Sequence, residues 1–496
     1  MSTINITAED KGEADKYDAL SDTEKKEMKV KKVKKEAEEI AETYIQKYDR
    51  MQLERKQDKE KSDEQYNLDD ADAAANELDK FIQKTVKTVS VATLSERDQI
   101  PYWIDTDSVA LNWIISNSFF KGLPGTKAIM IAGDSGKGKS LLLDVFLGNN
   151  IRKGGVSYKF DIEDAGGHDF TSKVVGSEKV ASKIRLITPK NINKETKNKH
   201  KVITIEKLNA VLNGIINFQT SSEKKKRVKS VVAGIDSVTQ LTTIKEIEDN
   251  IGDKGKKDMT STQKIREMFR VITQQQKQSN LTLIGLAQMT ANIGVMFGPK
   301  KVENAKGSGF KYASSLNLQA TTDKELTKSV KGGAEIPIGI KMRFKTTKNR
   351  VEFKGRDSWI YFYFNKGVDK YGGLIELLSQ YGVFKASSTP TVYGEYKDTT
   401  TFVWVHPDTG EKYQFGFSAN KKGRINFKTF MNDLIEAEDF EAEQELLTIW
   451  NYQLNEIYAD MTSDWDDAVL LESDDADDED FEEEDDEDFE EEDDDE

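Results

Sequence analysis

The chain has 496 residues, no Cys and a formal net charge of −17 at neutral pH. The absence of Cys excludes disulfides and thiolate metal sites, and the three scattered His residues argue against a His-based metal site. The length allows two or three domains. No stretch has the length of a transmembrane helix and the first residues do not resemble a signal peptide, so we expect a soluble cytoplasmic protein without a membrane partner.

The negative charge is concentrated at one end of the chain. Residues 464–496 contain 24 Asp or Glu and no Lys or Arg, so the remainder carries +7. Within this tail the sequence of Asp478–Asp485 is repeated in Asp486–Asp493. A block of like charges repels itself, which predicts a disordered acidic tail. The tail is either a solubilising polyanion or an arm that competes with nucleic acid for the basic body.

Residues 1–92 are rich in Lys, Glu, Asp, Ala and Gln and predict a charged, helical N-terminal extension. A proline-free helical tract runs from about Ser21 to Arg55, and Lys25 to Lys35 contains seven Lys. Two interpretations remain open for this segment. It is either a solvated, partly disordered extension or an arm that contacts DNA or another subunit.

Residues 93–380 predict an α/β core, because apolar runs alternate with helical segments. The predicted strands are 127–132, 156–161, 184–188, 231–236, 281–288, 336–344 and 359–364. Such alternation is typical of a mostly parallel sheet, in which ligands bind at the carboxyl ends of the strands. Residues 381–463 predict a small α+β domain. It has a strand pair within Thr400–Phe415, turned at Pro407–Gly410, and a helical segment over Phe427–Tyr458.

The sequence Gly-Asp-Ser-Gly-Lys-Gly-Lys-Ser at 133–140 satisfies G-x-x-x-x-G-K-[ST], the phosphate-binding loop of nucleoside triphosphatases. An apolar strand-like run precedes it at Ala128–Ala132 and a helix-compatible run follows at Ser140–Leu147. Backbone N–H groups of such a loop and the helix N-terminus hold phosphate. Lys139 would reach the β- and γ-phosphates, and Ser140 would hold Mg²⁺. The predicted nucleotide-binding residues are Gly133, Asp134, Ser135, Gly136, Lys137, Gly138, Lys139 and Ser140.

Polar residues at other predicted strand ends supply the rest of such a site. Asp236 ends an apolar strand and is the candidate second acid associated with Mg²⁺. Hydrolysis also needs a carboxylate that orients water, and Asp161 and Glu163 both follow another strand. Gln288 ends a third strand, where one hydrogen bond could make it sense the nucleotide state.

Several segments, in the same order, resemble RecA-type recombinases. Ile235–Val238 resembles the family's Asp-Ser strand end, Glu246–Asp253 its first DNA loop, Ile293–Gly298 its second DNA loop and Phe310–Ser314 the exit from that loop. Asp258–Arg270 and Gly367–Leu374 look more like the phage UvsX branch. The resemblance covers residues 95–385 well and 386–460 weakly, and it does not extend to residues 1–92. It implies a RecA-like P-loop NTPase core.

The resemblance also implies roles for individual residues. Glu163 is similar to the carboxylate that activates the attacking water, and Phe170 to an aromatic residue that stacks on adenine. Gln288 resembles the γ-phosphate sensor that couples ATP to the second DNA loop. Lys348 and Arg350 resemble basic residues that reach the ATP of the neighbouring subunit, where cations stabilise transition-state charge. ATP and Mg²⁺ would then lie between the subunits of a helical filament.

The DNA loops differ from the family pattern at Thr290 and Asn292, which stand where the bacterial recombinase has basic residues. Lysines nearby could supply the charge that binds backbone phosphate: Lys254, Lys256, Lys257, Lys300, Lys301, Lys306 and Lys311. Apolar side chains that could contact bases are Ile293, Met296 and Phe297, with Ile293 as the candidate wedge between base steps.

Together these features predict a phage-encoded, ATP-dependent strand-exchange recombinase that acts in recombination, repair and recombination-dependent replication. It would be a DNA-dependent ATPase that forms homo-oligomeric filaments on single-stranded DNA and tests homologous duplex DNA. Single-strand-binding and loader proteins are further candidate partners, and the cytoplasm of an infected bacterium is the expected location. The alternatives are a ring helicase with the same core fold and a recombinase paralogue that binds ATP and DNA without exchange activity.

Overall fold

The computed structural model describes residues 75, 78–82, 84–86, 100–164, 166–191, 201–221, 226–251, 260–291, 301–303, 305–330, 333–391, 395–407, 409–418, 424–436 and 440–463. Several predictions lie outside these residues: the helix over Ser21–Arg55, the acidic tail, residues 252–253 of the first predicted DNA loop and the whole second loop at Ile293–Gly298. The rest of the first loop, residues 246–251, is helical. Of the N-terminal extension, residues 78–82 and 84–85 are helical.

In the described residues ten strands form one large sheet, and a separate two-stranded sheet precedes it. The small sheet pairs β1 (Trp103–Ile104) with β2 (Leu123–Pro124). The strands of the large sheet are β3 (Ala128–Gly133), β4 (Val156–Asp161), β5 (Arg185–Ile187), β6 (Val231–Asp236), β7 (Leu281–Ala291), β8 (Lys301–Glu303), β9 (Leu316–Ser329), β10 (Glu335–Asn349), β11 (Asp357–Tyr363) and β12 (Gly367–Val368). Their order is β12-β11-β10-β9-β3-β7-β6-β4-β5, with β8 paired to β7.

The helices of this core cover both faces of the sheet. They are α1 (Val109–Ser116), α2 (Lys139–Arg152), α3 (His168–Val175), α4 (Glu178–Ala181), α5 (Ile205–Ser221), α6 (Ile244–Ile251), α7 (Thr260–Gln275), α8 (Ala305–Ala313) and α9 (Leu374–Gln380). None of the described helices combines the length and apolar character that crossing a bilayer requires.

The central strands β9, β3, β7, β6, β4 and β5 are parallel, whereas β10, β11 and β12 extend the sheet in antiparallel fashion. β3 is buried on both faces, as parallel strands covered by helices are. Ile129 and Ile131 belong to the hydrophobic cluster of α2, and Met130 and Ala132 to that of α5, α7 and α8. The α/β fold with a mostly parallel sheet is therefore confirmed.

β9 is a central strand that the sequence pattern does not predict. It pairs with β3 through Ile129 and Leu316, and with β10 along its whole length. Its second half contains Thr, Asp, Lys and Glu, so it lacks the apolar run on which strand prediction depends. Its conformation follows from hydrogen bonding to two neighbours, because context overrides β-propensity.

The C-terminal module contains a four-stranded sheet and two helices. Its elements are β13 (Lys385–Ala386), β14 (Phe402–Val405), β15 (Lys412–Gly416), β16 (Ile425–Asn426), α10 (Phe427–Glu436) and α11 (Phe440–Ser463). β14 and β15 form the predicted antiparallel pair. The segment predicted as helical over Phe427–Tyr458 comprises two helices, α10 and α11.

The C-terminal module and the core share one hydrophobic cluster. Trp113 of α1 is buried there, and its ring centroid lies 5.0 Å from Tyr381 and 5.6 Å from Tyr458 of α11. Nε1 of Trp113 donates a 2.8 Å hydrogen bond to Oδ1 of Asn455. A large aromatic side chain contributes both buried area and a polar contact, so Trp113 fixes α11 against the core.

Candidate nucleotide-binding site

The sheet register brings the predicted site residues to one edge. Gly133 at the end of β3 is paired with Gln288 of β7, and Asp161 at the end of β4 with Asp236 of β6. Because these strands are parallel, their carboxyl ends lie at the same edge. The phosphate loop and the candidate polar residues therefore meet there.

Two glycines give the phosphate loop its backbone conformation. Gly136 and Gly138 have φ angles of 77° and 71°, in the left-handed region that glycine adopts at little cost. Gly138 is also the N-cap of α2. A Cβ on Gly138 would lie 2.7 Å from Sδ of Met342, so the loop packs closely on β10.

The loop borders a cavity of about 220 Å³. Its lining consists of Ser135, Gly136, Lys137, Gly138, Lys139, Ser140, Leu141, Glu163, Asp236, Ser237, Gln288 and Ile340. A helix N-terminus beside a glycine-rich loop and a lysine is a typical site for phosphate. The residues present therefore fit a nucleoside triphosphate.

The ammonium group of Lys139 lies within the loop. Nζ donates a 2.8 Å hydrogen bond to the carbonyl oxygen of Gly133 and a second to that of Asp134. Burial lowers the pKa of Lys139, and the carboxylates of Asp236, Asp134 and Glu163 act in the opposite direction. The carbonyl groups of Gly133 and Asp134 thus position the ammonium group of Lys139, although neither residue lines the cavity.

Ser140 and Asp236 present the oxygens that a Mg²⁺ site requires. The two side chains are joined by a hydrogen bond, and both line the cavity. Burial raises the pKa of Asp236, whereas the bond from Ser140 and the charge of Lys159 lower it. Mg²⁺ binds through one or two protein oxygens together with phosphate, so this pair fits the ion.

Glu163 is the second carboxylate of the cavity and accepts two hydrogen bonds at Oε1. Ser237 Oγ donates one at 3.0 Å and Gln288 Nε2 the other at 3.2 Å. Asp161 instead faces a different cavity, where its Oδ2 accepts a 3.1 Å bond from the backbone N–H of Gly166. Of the two acids that follow β4, Glu163 is the one beside the phosphate loop.

Gln288 links this cavity to the segment predicted as the second DNA loop. β7 continues past Gln288 and pairs with β8, Ala291 opposite Lys301. The paired ends of β7 and β8 therefore flank residues 292–300. Predicted DNA-binding residues outside the described part of the chain are Lys254, Lys256, Lys257, Ile293, Met296, Phe297 and Lys300. The structure places Lys301 on β8 and Lys306 and Lys311 on α8, directly after this segment.

Five predicted nucleotide-site residues are absent from the cavity lining: Gly133, Asp134, Phe170, Lys348 and Arg350. Phe170 lies on α3, is 44% exposed and is absent from the cavity lining. Lys348 donates from Nζ to the carbonyl oxygens of Lys311 at 3.0 Å and Tyr312 at 3.2 Å, in the last turn of α8. Burial, aided by the charges of Arg350 and Lys311, lowers the pKa of Lys348 to about 8. Arg350 is exposed.

Residues 223–369 match the RecA N-terminal domain family. The core of this chain is RecA-like. Similar curated proteins carry the name Protein RecA: that of Syntrophus aciditrophicus is 29% identical over 182 residues, that of Mycoplasma mycoides subsp. mycoides SC 28% over 180 and that of Thermus aquaticus 28% over 165. These alignments cover 35%, 35% and 33% of this chain and 50%, 49% and 46% of the respective relative.

The chain thus spans about half the length of the curated relatives it matches. The matched part of the RecA-like core contains Asp236, Gln288, Lys348 and Arg350, and it begins after the phosphate loop. The nucleotide site therefore depends on the loop's own motif and geometry. Assignment to the UvsX branch, and with it a phage origin, stays a prediction.

Sequence reasoning assigned no role to several residues of the RecA-like core. Ser237 contacts Glu163. Its position directly after Asp236, at the end of a predicted strand, is the sequence feature that could have predicted this contact. Ile340 of β10 also lines the cavity, and no motif around it in the sequence predicts this position. Lys159 Nζ lies 2.6 Å from Oδ1 of Asp144, and both side chains are buried. The partners of this ion pair lie on β4 and α2, so the chain sequence alone does not show that they meet.

Proposed function

We propose that this chain is an ATP-dependent DNA strand-exchange protein that polymerises on single-stranded DNA. The observation that carries the proposal is the hydrogen bond from Gln288 to Glu163, because it joins the nucleotide cavity to the strand that enters residues 292–300. The RecA-like core supports the same assignment.

ATP, bound with Mg²⁺, would supply the γ-phosphoryl group that is transferred to water. The backbone of Ser135 to Ser140 would hold its phosphates, and Lys139 would balance their charge. Ser140 and Asp236 would hold the metal ion. Glu163 would orient the attacking water and take up its proton. The hydrogen bond from Ser237 to this carboxylate supports that role.

Coupling to DNA would pass through Gln288. Nε2 of Gln288 carries two N–H groups, one of which donates to Glu163. A γ-phosphate oxygen would compete for this amide, so the state of the nucleotide would change its contact with Glu163. β7 carries a change at Gln288 into the paired strand β8 and hence to both ends of residues 292–300. Ile293, Met296 and Phe297 would contact bases there, and the neighbouring lysines would bind phosphate.

The filament would be assembled around ATP. Lys348 and Arg350 do not line the cavity of their own subunit, so the nucleotide that they would reach is that of a neighbour. Lys348 would exchange its bonds to the carbonyl oxygens of Lys311 and Tyr312 for this contact. A strand held extended in such a filament would be tested against homologous duplex DNA by base pairing. The protein would then supply no sequence specificity, in keeping with cationic and apolar DNA contacts.

The proposal is tested by negative-stain imaging with ATP, with and without single-stranded DNA, together with phosphate release. We expect helical filaments and faster phosphate release when DNA is added. Closed rings that unwind a forked duplex would instead favour the helicase alternative. Phosphate release that DNA does not stimulate would favour a paralogue without exchange activity.

A further inference from the structure

A further cavity, of about 200 Å³, lies between the RecA-like core and the C-terminal module. Tyr361 and Tyr363 of β11 form one wall, and Phe417 and Phe427 of the C-terminal module form another. The segment that leads into α9 closes it. We call it the interdomain cleft. It shares no lining residue with the nucleotide cavity, so its chemistry is separate.

The interdomain cleft is acidic. Its lining contains three carboxylates, Asp369, Glu376 and Asp398, and one cation, Lys428. Asp369 is already paired, since its Oδ2 lies 2.5 Å from Nζ of Lys428. Glu376 and Asp398 therefore give the remaining lining a negative charge, which disfavours phosphate and other anions.

Glu376 is the feature that points to a ligand. The side chain is 3% exposed, and Tyr361 donates a 2.7 Å hydrogen bond to its Oε1. Burial, together with the charge of Glu376, raises the pKa of Tyr361 well above its ordinary value, so Tyr361 remains a donor. Oε2 of Glu376 has no hydrogen-bond partner among the described residues. A buried carboxylate oxygen without a donor is costly.

Lys341, the nearest cation to Glu376, contacts one of its two oxygens. Its Nζ lies 3.5 Å from Oε1 of Glu376 and 3.3 Å from Oε1 of Glu395, and Glu395 is also paired with Lys324. The same ammonium lies over the rings of Trp359 and Tyr361, at 4.5 Å and 5.0 Å from their centroids. Oε2 of Glu376 is left without a donor.

The aromatic walls of the cleft suit a cation as well. Nζ of Lys428 already lies 4.3 Å from the ring centroid of Tyr363. Aromatic faces attract ammonium and guanidinium groups, and carboxylates beside them strengthen the preference. The other rings that line the same space are those of Tyr361, Tyr371, Phe417 and Phe427.

We propose that the interdomain cleft binds an alkylguanidinium or alkylammonium group. Oε2 of Glu376 is enclosed, so the Glu376 side chain must turn toward the cleft to meet the group. The N–H groups then donate to Oε2 of Glu376 and to Asp398, and the alkyl part packs against the aromatic walls. Such a group is carried by small free amines and by Arg or Lys side chains. Because the cleft joins the two modules, an occupant contacts both and stabilises their arrangement.

The test is calorimetric titration of the full chain with agmatine, which carries both a guanidinium and an ammonium group. The variants are Glu376→Gln and Asp398→Asn, with Glu411→Gln as an exposed control outside the cleft. We expect saturable binding in wild type and Glu411→Gln, and binding at least about tenfold weaker in Glu376→Gln, since a charge-assisted hydrogen bond is lost. Asp398 is exposed, so its variant preserves the test if Glu376→Gln does not fold.

Equal affinity for agmatine in wild type and all three variants would overturn the proposal. Loss of agmatine binding when NaCl is added at the ionic strength of the agmatine solution would also overturn it. Acetylarginine amide, titrated in parallel, distinguishes the sources of the group. Tighter binding of this compound than of agmatine assigns the cleft to a protein side chain, and weaker binding assigns it to a free amine. Either order supports the proposal when Glu376→Gln weakens both.

Discussion

Nε2 of Gln288 donates a 3.2 Å hydrogen bond to Oε1 of Glu163. The two residues come from strands that are not neighbours, because β6 lies between β7 and the strand that Glu163 follows. The bond therefore connects two parts of the proposed mechanism. One is the carboxylate that would orient water, and the other is the strand that leads into the proposed DNA loop. Our account of the protein depends on this connection.

Replacing Gln288 by Ala should uncouple DNA from ATP hydrolysis. The variant lacks the amide that contacts Glu163, so we expect the ratio of hydrolysis rates with and without single-stranded DNA to fall at least about fivefold, the lower range of allosteric coupling. Phosphate release measures this ratio. The control is Gln414→Ala, because Gln414 is exposed on β15 of the C-terminal module and does not line the cavity. A wild-type ratio in Gln288→Ala would contradict the coupling.

Replacing Glu163 by Gln should remove the group that takes up the proton while the side chain keeps its shape. We expect kcat for ATP hydrolysis to fall about 10²–10⁴-fold, the usual contribution of a general base. Binding of a fluorescent ATP analogue should persist, because the phosphate loop is unchanged. Asp164→Asn is the matched control, since Asp164 pairs with Lys190 at 2.7 Å and does not line the cavity. Hydrolysis at the wild-type rate would exclude Glu163 as the base.

Much of the nucleotide site could be predicted from the sequence because its residues follow apolar strands. Gly133 and Asp236 each end such a strand, and Gln288 follows the apolar part of β7, which continues to Ala291. Parallel strands bring their carboxyl ends together. β9 could not be predicted, since its polar second half is a strand by virtue of its neighbours. The contacts of Ile340 with the cavity and of Lys159 with Asp144 depend on packing between distant segments. The interdomain cleft likewise requires Tyr361, Glu376 and Asp398 to meet.

The buried pair of Lys159 and Asp144 should be strongly coupled in stability. Lys159→Met leaves the carboxylate of Asp144 buried without its cation, and we expect a loss of about 3–5 kcal/mol in the free energy of unfolding. Adding Asp144→Leu should recover most of this loss, because an apolar pair replaces the ion pair. Urea unfolding of the two single variants and the double variant measures the coupling. Additive losses would show that the two charges do not depend on each other.

The lowered pKa of Lys348 predicts a rise in stability at alkaline pH. The pKa of Lys348 is about 8 in the folded protein and 10.5 in its ordinary state. Between these two pH values the lysine is mostly neutral in the folded protein but still protonated in the unfolded chain. Raising the pH through this window therefore relieves the burial of a charged lysine. We expect the Tm of wild type minus that of Lys348→Met to increase across this range. A constant difference would mean that Lys348 is solvated in the folded protein.

Strand exchange by the Lys139→Ala variant tests the central claim most directly. Transfer of a labelled strand from homologous duplex to protein-bound single-stranded DNA is followed by fluorescence with ATP and Mg²⁺. Lys153→Ala, at the exposed end of the same helix, is the control. We predict exchange by wild type and by Lys153→Ala, and none above the protein-free rate by Lys139→Ala. ATP-dependent exchange by Lys139→Ala at the wild-type rate, or none by wild type, would contradict our account.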